Sequence, residues 1–274
     1  MSVKPELPRP LPLATRTGVS FDFPKSEYVL SLERGLAVIR AFNERHPSRT
    51  LSEVAQAVGL TRAAARRFLL TLGALGYVES DGKYYWLRPQ TLELGYAYLA
   101  SVPWWRYGQR VADSVAQETG CACAIGVLDR DSVAYLAYAF GNSTQSLVRS
   151  VGTRLPAYCT AIGRVLLGAL PEEELDAYLA SVPLERLTPH TVVDPQELKS
   201  AVRQAVADGY GIVAHQLEPG LYSIAMPVRD RQGAMCAALS LSLRDAPGKG
   251  AALARDYLPA LKRAAADIAS ALPA

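Results

Sequence analysis

The chain has 274 residues, 50% of them hydrophobic and 20% charged, with a formal net charge of +3 at pH 7. That length accommodates two domains with separate cores, and the balance is that of an ordinary soluble globular protein rather than a disordered, fibrous or membrane-embedded one. No run approaches the length of a transmembrane helix, and the N-terminus lacks the apolar core of a signal peptide, so the expected compartment is the cytoplasm. The cysteines at 121, 123, 159 and 236 form no CxxC pair and the histidines lie far apart in sequence, which predicts neither a metal site nor a disulfide framework.

In chain order, residues 1–26 carry Pro5, Pro8, Pro10 and Pro12 among Lys4, Arg9 and Arg16, a composition that predicts a disordered arm. It reads either as a plain tail or as a basic arm able to touch a polyanion. Residues 27–88 predict a winged helix-turn-helix. A first helix spans Ser31 to Asn43, with Leu32, Leu36, Ile39 and Phe42 as its expected buried stripe. A second is N-capped by Thr50, with Glu53 completing a capping box, and buries Leu51, Val54, Ala55 and Val58 before Gly59 stops it. Thr61 caps a third helix, whose Ala65, Phe68, Leu69, Leu72 and Leu75 face inward and whose Arg62, Arg66 and Arg67 face outward. A helical hairpin with a solvated arginine face has the same spacing, and the residues that follow separate the two readings. Tyr77 to Arg88 is two β-rich runs joined at Asp81-Gly82, a dipeptide that fits a tight turn with positive φ at both central positions. Helix-turn-helix followed by a hairpin places the third helix in a DNA major groove, with Thr61, Arg62, Ala63, Arg66 and Arg67 as base or phosphate contacts. Lys83 and Arg88, on the wing, would meet flanking phosphates.

Residues 89–103 predict a linker helix that Pro89 opens and Pro103 ends. Its stripe of Leu92, Tyr96 and Leu99 serves either a second copy of the chain or packing on its own. From 104 to 274 the pattern is mixed. Helices are expected over 104–119, 158–170, 172–181, 195–208 and 251–272, and strands over 121–128, 132–140, 145–150, 211–216, 221–229 and 234–243. An antiparallel sheet with helices on one side makes this an α+β sensor domain.

Four ordered stretches carry a resemblance: Ser31 to Ile39, the run from Leu51 through Arg67, Arg154 to Leu167, and Gly209 to Asp230. In these the chain resembles the IclR-type bacterial transcriptional regulators from about Tyr28 to the C-terminus. Tyr158-Cys-Thr160 and Tyr84-Tyr-Trp-Leu87 are similar to the branch controlling catabolism of aromatic acids such as 4-hydroxybenzoate, protocatechuate or muconate. The resemblance implies a GAF- or PAS-like effector-binding domain at 104–274, double-stranded operator DNA and a small carboxylic acid as partners, assembly as a homodimer or dimer of dimers, and no cofactor.

A carboxylate effector needs anion-binding donors and apolar walls. The helix opening at Thr160, Ala161 and Ile162 offers free backbone N–H groups and the positive end of a helix dipole. The resemblance adds side-chain contacts from Ser223, Ser240 and Ser242, the last two on one side of a strand that alternates with Leu239, Leu241 and Leu243. Arg154 either pairs with the effector or holds its loop. His215 and Tyr158 are further candidates, each able to serve as a purely structural group. The competing class is a metabolic enzyme fused to a winged helix. Against it, the chain lacks GxSxG, HExxH and P-loop patterns, Gly209-Tyr-Gly211 lacks a third glycine, and Cys159 has no recognisable His and Asp partners, so no catalytic residue is expected.

Overall fold

The computed structural model describes residues 24–102, 104–141, 149–244 and 252–272. The arm expected over 1–26, but for its last three residues, and the strand expected over 145–150, but for Arg149 and Ser150, lie outside them. The described residues divide into two units at the boundary between Tyr98 and Leu99.

In the first unit, α1 (Leu30–Arg40), α2 (Leu51–Ala57) and α3 (Arg62–Ala74) enclose Val38, Phe42, Val54, Ala55, Ala65, Leu69 and Leu72. The starts of α2 and α3 are set by side chains. Thr50 Oγ1 accepts the Glu53 N–H at 3.4 Å while the Glu53 carboxylate accepts the Thr50 N–H at 2.7 Å, the reciprocal capping box. Gly59 turns to φ +64°, Leu60 N–H closes onto Ala55 O at 2.9 Å, and Thr61 Oγ1 then caps α3 through the Ala64 N–H at 3.2 Å. The expected inward stripe of α1 is corrected: Leu32 and Leu36 are exposed, at 63% and 41%, as is Leu75 at 57%. The helix carries apolar residues on two faces, and a three-helix core of this size encloses only the face bearing Val38.

The wing is a three-stranded antiparallel sheet in the order β1 (Ser48–Thr50), β3 (Tyr84–Leu87), β2 (Val78–Ser80), so a short strand ahead of α2 joins the hairpin. Its turn also differs from expectation. Only Gly82 has positive φ, +96°, and the Asp81 carboxylate closes the loop by accepting the Lys83 and Tyr84 N–H groups at 2.8 and 2.7 Å. After a 3-10 turn at Pro89–Thr91, α4 runs from Leu92 to Ala100.

The second unit is a six-stranded antiparallel sheet in the order β6-β5-β4-β9-β8-β7. Its strands are β4 (Ala122–Asp129), β5 (Ser132–Ala139), β6 (Arg154–Pro156), β7 (Gly211–Ala214), β8 (Leu221–Arg229) and β9 (Met235–Arg244). Helices cover both faces, not one. On the first, α5 (Trp105–Thr119) and α9 (Leu253–Ala271) enclose Ile125, Ile224, Leu239, Leu241 and Leu243. On the second, α6 (Ala161–Leu167), α7 (Glu172–Ser181) and α8 (Pro195–Asp208) cover Ala122, Ala124, Ala225 and Ala238. The central strands are buried on both sides along almost their whole length, so a single helical layer would leave one face in water. The small side chains on the second face let α6 come close. There the helix expected from Tyr158 begins at Ala161, after a 3-10 turn at Ala157–Cys159. Gly163 permits that start: a Cβ on it would lie 2.0 Å from Ala157 O.

Candidate functional site

On α3, Arg62, Ala63, Arg66 and Arg67 are exposed while Ala65, Leu69 and Leu72 are buried. None of the three guanidinium groups meets a carboxylate among the described residues. Their charge is therefore uncompensated within the unit, as a phosphate-binding face requires. On the wing, Lys83 Nζ lies 5.0 Å from the centre of the Tyr84 ring, at the loop tip. Arg88 lies just past β3, exposed, with its backbone N–H on Tyr77 O at 2.9 Å.

In the second unit the first turn of α6, the inner face of β8 and β9, and the turn between β7 and β8 wall a small cavity. Tyr135, Arg149, Cys159, Thr160, Ala161, Ile162, Val213, Leu217, Leu221, Ser223, Ser240 and Ser242 line it. Its volume is only about 20 Å³, room for little more than a single water molecule, so anything larger enters only as side chains draw apart. Thr160 Oγ1 accepts the Gly163 N–H at 3.1 Å, which leaves the Ala161 and Ile162 N–H groups unpaired among the described residues. Ser223 and Ser242 share a hydrogen bond at 2.8 Å across the β8–β9 register, and Ser240 points to the same side. Burial pushes the Tyr135 phenol up to about 12, against the opposing pull of the Arg149 guanidinium, and pushes the Cys159 thiol up to about 12 as well. Both are neutral at pH 7. Arg149 is thus the one charged group among the described lining residues, 7% exposed, with its guanidinium 2.7 Å from the Glu218 carboxylate.

The structure thereby brings Thr160, Ala161, Ile162, Ser223, Ser240 and Ser242 to one cavity and leaves three other candidates outside it. Arg154, on the edge strand β6, is half exposed and pairs with Asp129 at 2.5 Å, holding the β4–β5 turn. Tyr158 is buried and donates its hydroxyl to Glu185 O at 2.9 Å. His215 stands at φ +59°, its Nδ1 accepting the Gly220 N–H at 2.9 Å and its Nε2 2.8 Å from the Tyr222 hydroxyl, so the ring braces the β7–β8 turn. Arg149 escaped the sequence reading, whereas Tyr135, by sequence able to stack on an aromatic ring or to fill the core, reads there as a core residue and lines the cavity instead. A lone cation after Leu147 and Val148 gives little signal, and nothing in the local pattern says that it turns inward. Cys159 faces the cavity, but a thiol so hard to ionise is a poor nucleophile. Among the described residues no group of three or more His, Cys, Asp or Glu is placed to hold a metal ion.

Both units match models of a single family. Residues 31–82 match the IclR helix-turn-helix domain, and residues 96–270 match the C-terminal domain of bacterial transcriptional regulator IclR. The chain belongs to the IclR family of bacterial transcriptional regulators. It is 39% identical over 243 residues to the Pca regulon regulatory protein of Pseudomonas putida, covering 88% of this chain and 84% of that one. It is 34% identical over 222 residues to the p-hydroxybenzoate hydroxylase transcriptional activator of Acinetobacter baylyi, covering 78% and 81%. A crystal structure of an IclR homolog from Microbacterium hydrocarbonoxydans complexed with 4-hydroxybenzoate superposes with a TM-score of 0.73 at 25% identity, over 88% of this chain and 98% of the other. These relatives are regulators of transcription, which disfavours the reading of an enzyme fused to a winged helix.

Proposed function

We propose that this regulator binds operator DNA in the cytoplasm as a homodimer and responds to a small aromatic carboxylic acid held in the cavity of its second unit. The observation that carries the effector class is the charge of that cavity: among the described residues, a single buried cation, Arg149, in a lining that is otherwise neutral hydroxyls, a thiol, an aromatic ring and aliphatic walls. One carboxylate meets that cation and the open Ala161 and Ile162 N–H groups; Tyr135, Leu217 and Leu221 flank the ring; Ser223, Ser240 and Ser242 take its polar substituents. The ligand in the Microbacterium structure and the names of the two relatives support the same class.

On the DNA side, Arg62, Arg66 and Arg67, with Thr61 and Ala63 beside them, read the major groove, and Lys83 and Arg88 position the wing on phosphate. A dimer is supported by the groove between α1 and α3, about 740 Å³ in volume, into which Leu32, Leu36, Phe68, Leu75 and Leu94 open. Leu92, at 74% exposed, continues that apolar surface along α4. A second copy would cover it and present two recognition helices to half-sites about one helical turn, or a multiple of it, apart.

Calorimetry of the full-length protein with 4-hydroxybenzoate, protocatechuate and muconate, and then with their amides, tests the effector. The acids bind and the amides bind at least about tenfold more weakly, since each 1.4 kcal/mol of lost charge recognition is tenfold. Ser240→Ala weakens binding by about 0.5–1.5 kcal/mol, one hydrogen bond. Equal affinity for acid and amide overturns the charge-recognition model, and no binding of any acid overturns the effector class.

A further inference from the structure

The buried cation at the cavity wall is already answered from within the chain. Glu218 accepts from Arg149 with one carboxylate oxygen and from Arg244 with the other, so two guanidinium groups share one carboxylate. The three groups differ in depth. The Arg149 side chain is 8% exposed, that of Arg244 26% and that of Glu218 34%, so Arg149 is the deepest of the three and the bridging carboxylate is the most open to solvent. Arg244 has donors to spare: its Nε is buried without a hydrogen-bond partner among the described residues. Glu218 is delivered by a braced turn. His215 N–H bonds Leu221 O at 2.7 Å, Gly220 N–H bonds His215 Nδ1 at 2.9 Å, and Thr188 and Thr191 hydroxyls hold the His215 and Gln216 carbonyls at 2.6 and 2.7 Å.

We infer that Glu218 is a built-in competitor for Arg149, and that an effector carboxylate binds by displacing it, the released Glu218 carboxylate passing wholly to Arg244. The inference rests on the effector reading above and adds to it the group that the effector must replace. Three charges carry the argument. Two cations and one anion leave an excess of one positive charge, which one incoming monocarboxylate neutralises, giving two separate ion pairs where one bifurcated carboxylate stood. A buried cation stripped of its partner is costly, so Glu218 keeps Arg149 paired until another anion arrives. A neutral ligand offers no such replacement and leaves the shared arrangement intact. Because Leu217, the neighbour of Glu218, itself lines the cavity, the exchange moves the β7–β8 turn as the ligand enters.

The test is a double-mutant cycle on the full-length protein with 4-hydroxybenzoate as probe, read by calorimetry. Glu218→Gln removes the competing charge at nearly constant shape and tightens binding by about tenfold, the effect of one ion pair no longer broken. Arg244→Gln removes the cation that receives the displaced carboxylate and weakens binding by about tenfold, although Arg244 does not line the cavity. In the double variant the Arg244 effect disappears, and the affinity matches that of Glu218→Gln alone. Weaker or unchanged binding by Glu218→Gln means that Glu218 only positions Arg149, and overturns the inference. So does an Arg244→Gln effect that persists in the double variant. Arg244 is partly exposed, so its variant remains a test even if a change at the braced turn unfolds the domain. If the unaltered protein binds none of the three acids, the effector reading falls and the inference with it; if it binds them and the cycle fails, the inference falls alone.

Discussion

Gly163→Ala isolates the close approach on which the cavity depends. A Cβ at this position would lie 2.0 Å from Ala157 O and 2.5 Å from Ala157 C and Cα, all backbone atoms, so no side chain can swing aside to relieve the contact. The first turn of α6 must retreat from the 157–159 turn by more than 1 Å to reach ordinary van der Waals distance, which begins at 3.4 Å. Overpacking of this kind costs about 1–3 kcal/mol, and loss of the Thr160 cap on the Gly163 N–H adds about 1 kcal/mol. The sum of about 2–4 kcal/mol lowers the Tm of a domain this size by roughly 4–16 °C. The same retreat moves the Ala161 and Ile162 N–H groups off the cavity, so effector affinity falls with stability. Scanning calorimetry of the full-length protein, followed by an effector titration below the transition, reads both. Gly95→Ala is the control: it lies within α4 with no heavy atom inside 4 Å of the added carbon, and replacing a helical glycine is neutral or stabilising by up to about 1 kcal/mol. A Gly163→Ala protein melting with the wild type would refute the reasoning.

Replacing Arg62, Arg66 or Arg67 with Ala costs about 1–3 kcal/mol of operator affinity where the arginine reads a base, and lowers the salt slope by about one where it meets a phosphate. Fluorescence anisotropy at several salt concentrations distinguishes these cases, and an unchanged affinity for the triple variant removes α3 as the recognition helix. Leu36→Glu with Leu75→Glu places charges in the apolar groove and shifts the protein towards monomer in sedimentation, whereas an unaltered oligomeric state shows that the groove is not the dimer contact. Stability falls at alkaline pH, where buried phenols and thiols must ionise, two of them in the cavity wall. Tyr135 rises from 10.0 to about 12 and Cys159 from 9.0 to about 12 in the folded state, so their contribution is complete below pH 9 and is lost as pH climbs towards 12. At about 1.4 kcal/mol per unit, Tyr135 accounts for about 3 kcal/mol of that loss at most. Urea unfolding from pH 7 to 11 measures it; an identical alkaline slope in Tyr135→Phe would show that the phenol takes no part.

Local chemistry made the DNA-binding half legible. Thr50 with Glu53, Gly59 and Thr61 fix where two helices start and stop through contacts a few residues away, and such contacts are written in sequence spacing. Strand alternation likewise puts Ser240 and Ser242 on one side of β9, but that this side should meet a ligand rather than solvent came from the family resemblance, not from the spacing. What the sequence left undecided were matters of competition between distant surfaces. Leu32 and Leu36 have the periodicity of core residues, but the three-helix core had room for only one apolar face of α1, and Val38 took it. Asp81-Gly82 has the composition of a two-residue turn, but the Asp81 carboxylate made a better bond with the loop N–H groups ahead of it. Arg154 and Arg149 are both plausible anion partners by residue type. Pairing placed Arg154 on an exposed edge strand beside Asp129 and brought Arg149 inward to Glu218, 69 residues away in the chain. Arg149 is buried where the fold supplies its counter-charge, and that choice belongs to the tertiary structure.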